Sequence, residues 1–419
     1  MTDYATFLTR KQERINKTGK RIQSRSVHEL LHPWQNQITR WAVKTSRAAI
    51  WADTGMGKTL MQLEWARLSA DASLIVAPLA VCDQTVREAQ KLGITTQYVK
   101  YAEDITGPGI WVTNYERVPN IPAGLFDAVV LDESSILKQS DGKTRLMLID
   151  HFAEVPHRLA CSATPAPNDP EELTSQAEWL GQMTRVNMLA SYFVHDQDGW
   201  RLKGHAHKPM IQWMAQWAVA LRKPSDVGGD DTDYDLPGLN IIPEVVPHQT
   251  NRSIGGVTGR SRMRRETLDA RIKHTVELVN SVPGEWILWC GLNDEARALA
   301  DSIPGSVNIH GSMKPEDKAR LLLGFANGDY DVLITKPSIA SQGLNYQHCS
   351  RMAFVGLGDS YEQYYQAIRR CYRYGQKRVV NAHVVVSEPE RQIAWNVARK
   401  EKQANKFTSE LVSEMQRTW

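Results

Sequence analysis

Ala48-Ala49-Ile50-Trp51-Ala52-Asp53-Thr54-Gly55-Met56-Gly57-Lys58-Thr59-Leu60 is the stretch whose reading decides the fold. An apolar run able to form a strand enters a Gly-rich loop, and Gly57-Lys58-Thr59 opens a helix-like segment to about Leu68. The loop backbone around Thr54, Gly55 and Gly57 can turn N–H groups inward around phosphates, and a helix N-terminus adds partial positive charge. Lys58 then reaches the β- and γ-phosphates of a triphosphate, and the Thr59 hydroxyl ligates Mg²⁺. Ala52 stands where this pattern usually has Gly, a mild departure because Ala is nearly as small. The bland alternative is a Gly-rich turn before an ordinary helix. Gly-Lys-Thr at the helix start favours the phosphate loop.

The 419 residues suffice for two or three domains, and 42% hydrophobic with 23% charged content suits a buried core. A formal charge of +3 does not announce a nucleic-acid binder, so any such surface must come from local clustering. Cys82, Cys161, Cys290, Cys349 and Cys371 form no CxxC pair, so buried reduced thiols are expected and a zinc site is not. Met1 to Arg25 has no apolar core of the secretory kind, and no apolar run approaches the ~18 residues of a membrane span. The expectation is a cytoplasmic protein with no membrane partner.

Short apolar runs alternate with helical patterns along the chain. Ser73–Ala77, Ile110–Thr113, Asp127–Leu131 and Arg158–Cys161 read as strands, and Val81–Leu92 as a helix. A second run of the same kind holds Trp286–Trp289, Val307–Ile309, Asp331–Ile334, Met352–Val355 and Val380–Val386, without a phosphate loop of its own. Such alternation implies α/β domains with mostly parallel sheets and helices on both faces. Five parts are expected: a basic arm over 1–26, a first domain over 27–183, a linking segment over 184–265, a second domain over 266–387 and a C-terminal helix over 388–419. The basic stretch Arg10 to Arg25 reads as a solvated arm or as an electrostatic contact to phosphates. Trp213 and Trp217, four apart, read as one packed helix face rather than a base-stacking platform. Ile242 to Arg265 reads as linker.

Asp132-Glu133 stands where a strand should end, and ligands of open α/β sheets bind at the carboxyl ends of strands. The phosphate loop also follows a strand end, so both belong on one edge. One carboxylate can hold Mg²⁺ and the other can position the water that attacks a γ-phosphate. In the second domain a helix is expected over Glu362–Tyr372. Arg370 and Arg373, three apart, would share its face and could neutralise charge on the phosphoryl group.

These blocks together resemble the superfamily 2 helicases and translocases, and most closely their SNF2-like branch. Trp34-Gln35, Ala52 to Thr59, Ala77-Pro78-Leu79, Thr113-Asn114-Tyr115-Glu116, Leu131-Asp132-Glu133-Ser134-Ser135, Ser162-Ala163-Thr164-Pro165, His310-Gly311-Ser312, Thr335 through Asn345 and Gln366 to Gln376 appear in that family's motif order. The Leu131–Ser135 block, that family's motif II, reads Asp-Glu-Ser-Ser rather than Asp-Glu-Ala-His, and the Ser162–Pro165 block, its motif III, has Ala where the SNF2 form usually has Gly. The Trp200–His205 block is similar to phage-encoded members, which extends the expected compartment to a bacterial cell or a phage-infected host.

The resemblance implies two tandem RecA-like domains, ATP and Mg²⁺. It implies that Gln35 reads adenine, Lys58 and Thr59 hold phosphate and metal, Asp132 binds the metal and Glu133 positions water. Arg370 and Arg373 would act from the second domain, with Gly343 and Asn345 lining the nucleotide cleft. Nucleic acid, with DNA favoured and RNA left open, would lie near Pro78, Asn114, His310 and Thr335, held by its backbone without sequence specificity. A separate targeting protein is compatible with the lack of a sequence-reading domain. The implied function is ATP hydrolysis coupled to translocation on DNA or its unwinding. The alternatives are a nucleotide-gated DNA clamp with slow hydrolysis, suggested by the altered motif II, and a small-molecule kinase, against which the Gln366–Gln376 pattern argues.

Overall fold

The apolar runs form two parallel sheets in a computed structural model that describes residues 15, 17–138, 142–166, 169–197, 199–232, 234–247, 262–340, 345–356 and 360–418. The first unit takes residues 1–231 together with 404–419, and the second takes 232–403. Most of the expected basic arm, residues 1–14 and 16, lies outside the described residues.

In the first unit the chain runs through α1 (Pro33–Thr45), β1 (Arg47–Ala52), α2 (Lys58–Ser69), β2 (Ala72–Ala77), α3 (Leu79–Lys91), β3 (Thr96–Tyr98), β4 (Gly109–Asn114), β5 (Ala128–Asp132) and β6 (His157–Cys161). An antiparallel hairpin, β7 (Phe193–Asp196) and β8 (Gly199–Leu202), precedes β9 (Ala218–Leu221). The sheet order is β3-β4-β2-β5-β6-β1-β9, with every pairing parallel. Its central strands are apolar almost without interruption because such a sheet buries both faces; all five residues of β5 are buried. Trp213 and Trp217 are packed inside, ring centroids 5.3 Å apart, although the helix carrying Trp213 ends at Met214 and Trp217 follows it.

The last residues of the chain belong to this unit. Phe407 packs on Trp51 of β1, and the Met415 sulfur accepts from the Ala220 backbone N–H at 3.2 Å. Edge strands present unpaired N–H groups, and this contact covers one on β9. Leu411 and Met415, one helical turn apart, are buried, and Ser409 accepts from the Arg222 guanidinium at 2.7 Å.

The second unit holds β10 (Leu239–Val246), β11 (Trp286–Trp289), β12 (Val307–Asn308), β13 (Val332–Thr335), β14 (Arg351–Phe354) and β15 (Val380–Ser387), ordered β10-β15-β14-β11-β13-β12 and all parallel. The expected linker from Ile242 is corrected here. Residues 239–246 form an eight-residue strand in register with Val380–Ser387, and residues 248–261 lie outside the described residues. Pro243 misled the reading; a proline is tolerated there because β10 is an edge strand. A buried Arg271–Glu295 pair, 2.7 Å apart, orders the ends of two strands. Glu295 accepts from the Gly291 and Leu292 N–H groups after β11, and Arg271 donates to the Val355 carbonyl after β14. Hydrogen bonds on every side are what make a buried pair tolerable.

Truncating Leu411 tests the C-terminal return. Leu411→Ala is expected to destabilise the first unit by about 2–5 kcal/mol, as for other fully buried leucines. A denaturant titration read through tryptophan fluorescence checks it, with the first unit's transition moving to lower denaturant.

Candidate active site

β1 ends at Ala52, and the phosphate loop that follows is shaped by two glycines in the left-handed region, Gly55 at φ +84° and Gly57 at φ +72°. Gly57 is the N-cap of α2, so Lys58 and Thr59 occupy its first turn, where backbone N–H groups have no partner within the helix. The Lys58 ammonium donates to the Ala52 carbonyl at 2.7 Å and the Asp53 carbonyl at 3.3 Å, folded over its own loop. The Thr54 N–H donates to the Asp53 carboxylate at 2.6 Å.

Gln35, on the first turn of α1, is buried against this loop. Its Nε2 donates to the Met56 carbonyl at 3.1 Å, and its Oε1 accepts from the His32 N–H at 2.9 Å. The expected adenine reader is placed as a latch on the loop. A Cβ added at Gly57 would fall 2.3 Å from that Nε2.

β5 lies two strands from β1 and runs parallel to it, so Asp132 comes to the same sheet edge as the loop. The Asp132 carboxylate is buried. Gln62, one turn beyond Lys58 on α2, donates through Nε2 to Asp132 Oδ1 at 2.7 Å, and the Glu133 N–H donates to the same oxygen at 3.1 Å. Burial pushes the Asp132 carboxyl above its usual range, against the opposing pull of the Gln62 hydrogen bond and the Lys58 charge. Burial therefore disfavours the ionised form of Asp132, and a bound cation would favour it.

Both hydrogen bonds fall on Oδ1 and leave Oδ2 to a metal ion. Gln62 Oε1, buried and without a hydrogen-bond partner, is a ready acceptor for a metal-bound water. With the Thr59 hydroxyl in the first turn of α2, this donor set is all oxygen, which suits Mg²⁺.

Glu133 has φ +54°, one of two non-glycine residues with positive φ among those described. An L-residue is strained there, a recurring feature of functional sites. Next to it, the buried Ser134 hydroxyl donates to Gln176 Oε1 at 3.0 Å, and Gln176 Nε2 donates to the Pro165 carbonyl at 3.0 Å. The Ser-Ser variation after Asp132-Glu133 is thus accommodated by a glutamine that links this turn to the Ser162–Pro165 segment.

The remaining expected residues are placed as follows. Pro78 is the N-cap of α3. Asn114 is buried at the end of β4, with its amide engaged by the Tyr98 hydroxyl and the Glu116 carboxylate. In the second unit, His310 is exposed after β12 with Nδ1 2.8 Å from Ser312 Oγ, and the buried Thr335 hydroxyl donates to the Ile309 carbonyl at 3.0 Å. Gly343 lies outside the described residues. Asn345 accepts from Arg373.

The helix expected over Glu362–Tyr372 is shorter, Tyr361–Ile368, which corrects the picture of Arg370 and Arg373 on one helical face. Both sit in the turns that follow. The Gln376 amide holds those turns by donating to the Cys371 and Cys349 carbonyls, and Gly375 takes φ +88°.

Sequence reasoning missed Gln62, Tyr115 and Gln176 as site residues. Gln62 had a usable signal, since four residues beyond Lys58 it shares a helix face with it. Tyr115 stood inside the Thr113–Glu116 block, but nothing there marked its contact with Asp132, and Gln176 had no signal, because their partners are distant in sequence.

Residues 27–184 match the SNF2-related domain and residues 273–375 the helicase conserved C-terminal domain. The chain is similar to putative protein p41 of Acyrthosiphon pisum secondary endosymbiont phage 1, 23% identical across 85% of this chain and 92% of that protein. Among solved structures, the Sulfolobus solfataricus SWI2/SNF2 ATPase core in complex with dsDNA aligns with 94% of this chain and 96% of its own at 16% identity, with a TM-score of 0.47.

Gly57→Ala tests the loop. It is expected to weaken nucleotide binding at least about ten-fold, or ~1.4 kcal/mol, by strain at positive φ and by the clash with Gln35. Gly124→Ala, whose added Cβ would meet nothing within 4 Å, is expected to leave binding unchanged. Calorimetric titration with MgATP measures both.

Proposed function

The chain belongs to the SNF2-related, helicase-like ATPases, an SNF2-related domain followed by a helicase conserved C-terminal domain, and on that premise we propose that it couples nucleic-acid-stimulated ATP hydrolysis to movement along DNA. The observation that carries the reading is the pairing at one sheet edge of a glycine-shaped loop opening α2 with Asp132, whose Oδ1 is occupied by Gln62 and the Glu133 N–H.

In this reading the loop N–H groups from Thr54 to Thr59 and the Lys58 ammonium hold the phosphates, which requires the Thr54 N–H to leave the Asp53 carboxylate and Lys58 to leave the Ala52 and Asp53 carbonyls, and Gln35 fixes the loop and reads the adenine. Thr59 and Asp132 Oδ2 would hold Mg²⁺, which would supply charge neutralisation for the phosphoryl group. The Glu133 carboxylate orients the attacking water and takes its proton. Arg370 and Arg373 neutralise charge on the transferring phosphoryl group, and Gly343 and Asn345 line the nucleotide cleft. Pro78, Asn114, His310 and Thr335 mark where strand ends meet the DNA backbone, which makes binding sensitive to salt rather than to sequence. For Asn114 and Thr335 this requires their amide and hydroxyl to exchange an internal partner for the ligand.

Glu133→Gln is the direct test. Expected is a loss of turnover of about 10²–10⁴-fold with MgATP binding retained, and wild-type turnover raised by duplex DNA at fixed salt. Unchanged turnover in the variant, or no response to DNA or RNA, overturns the reading. Displacement of a triplex-forming strand that requires hydrolysis separates movement from a slowly hydrolysing clamp, which yields no product.

A further inference from the structure

Tyr115 lies at the end of β4, two strands from β5, yet reaches the acidic pair. The register puts Asn114 beside Ala77 and Val76 beside Leu131, so Asn114, Ala77 and Asp132 fall in one row across β4, β2 and β5. Tyr115 is the next residue past that row. Its hydroxyl donates to the Asp132 backbone carbonyl at 2.5 Å.

That carbonyl belongs to the peptide joining Asp132 to Glu133. The same peptide's N–H donates to Asp132 Oδ1 at 3.1 Å. Both polar groups of one peptide are therefore engaged, one on each side. The residue that follows is Glu133 at φ +54°, a conformation in which the Cβ of an L-residue crowds its own carbonyl oxygen. Such a turn persists only where its surroundings over-determine it. The φ of Glu133 is set against this peptide, so a peptide held on both sides fixes the frame from which the Glu133 side chain projects. Tyr115 is itself buried, and burial, reinforced by the nearby Asp132 and Glu133 carboxylates, holds its hydroxyl protonated as a donor.

We propose that Tyr115 is a positioning residue for ATP hydrolysis: its hydroxyl locks the Asp132–Glu133 peptide and so holds the Glu133 carboxylate where it orients water. The inference rests on the ATPase reading above. Tyr115 acts through Glu133 and touches neither nucleotide nor metal.

Tyr115→Phe keeps the ring and removes one oxygen. In the full-length protein with saturating duplex DNA, kcat is expected to fall on the order of ten-fold, since a small misplacement of a reacting group is enough for such a loss. KM for ATP stays within about two-fold, because the phosphate loop is untouched. Combining Tyr115→Phe with Glu133→Gln gives no further loss beyond Glu133→Gln alone, whereas a merely structural role lowers both backgrounds by the same factor. para-Aminophenylalanine at position 115, which restores an N–H donor, recovers kcat and covers the case in which the phenylalanine variant folds poorly. Wild-type kcat in Tyr115→Phe, multiplying losses in the double variant, or no recovery with the amino analogue overturns the proposal. If the wild-type protein hydrolyses ATP and Glu133→Gln abolishes it while Tyr115→Phe changes nothing, this inference alone fails. If the wild type shows no hydrolysis, the functional reading fails and takes the inference with it.

Discussion

The turn at Asp132-Glu133 is the constraint on which the first unit's chemistry depends. A central parallel strand ends in a buried carboxylate followed by a residue in left-handed backbone, and neither is stable by itself. Three buried side chains from three elements support them: Gln62 on the Asp132 carboxylate, Tyr115 on its carbonyl, and Gln176 on the Ser134 hydroxyl. Removing one partner of such a bond leaves a buried polar group unsatisfied at a cost of about 1–3 kcal/mol. The support is therefore strongly specified, and the strain it sustains sits at the carboxylate proposed to orient water.

Much of this site is local in sequence and therefore legible. Gly55, Gly57, Lys58 and Thr59 are neighbours, and their glycines are needed for positive φ. Asp132-Glu133 follows an apolar run whose burial on both faces marks a central strand. Illegible parts depend on distant partners. Tyr115 meets a carbonyl 17 residues away and Gln176 a hydroxyl 42 residues away, and no periodicity reports such contacts. Gln35 was legible as a residue placed before the loop, but its engagement with the Met56 carbonyl and the His32 N–H appears only once α1 packs against that loop.

The second unit shows how local patterns mislead. Gln366 to Gln376 carries a helical spacing, yet the helix ends at Ile368, where packing of the buried Cys371 and the Gln376 amide imposes turns instead. Pro243 suggested a linker, and an edge position in the sheet let it stay in a strand. The C-terminal helix was readable as a helix. That its last turns return to the first unit, covering the Ala220 N–H with a methionine sulfur, was not readable, because an amphipathic face does not name its partner.

The central claim is that the strained turn presents Asp132 Oδ2 to Mg²⁺ and Glu133 to water while Gln62 and Tyr115 hold it. A crystal structure of the protein with Mg²⁺ and a non-hydrolysable ATP analogue measures this most directly. The account predicts the ion bound by Thr59 and Asp132 Oδ2, Glu133 still at positive φ, and the Tyr115 hydroxyl on the Asp132 carbonyl. An ion bound elsewhere, or Glu133 relaxed to negative φ with Tyr115 detached, would contradict it.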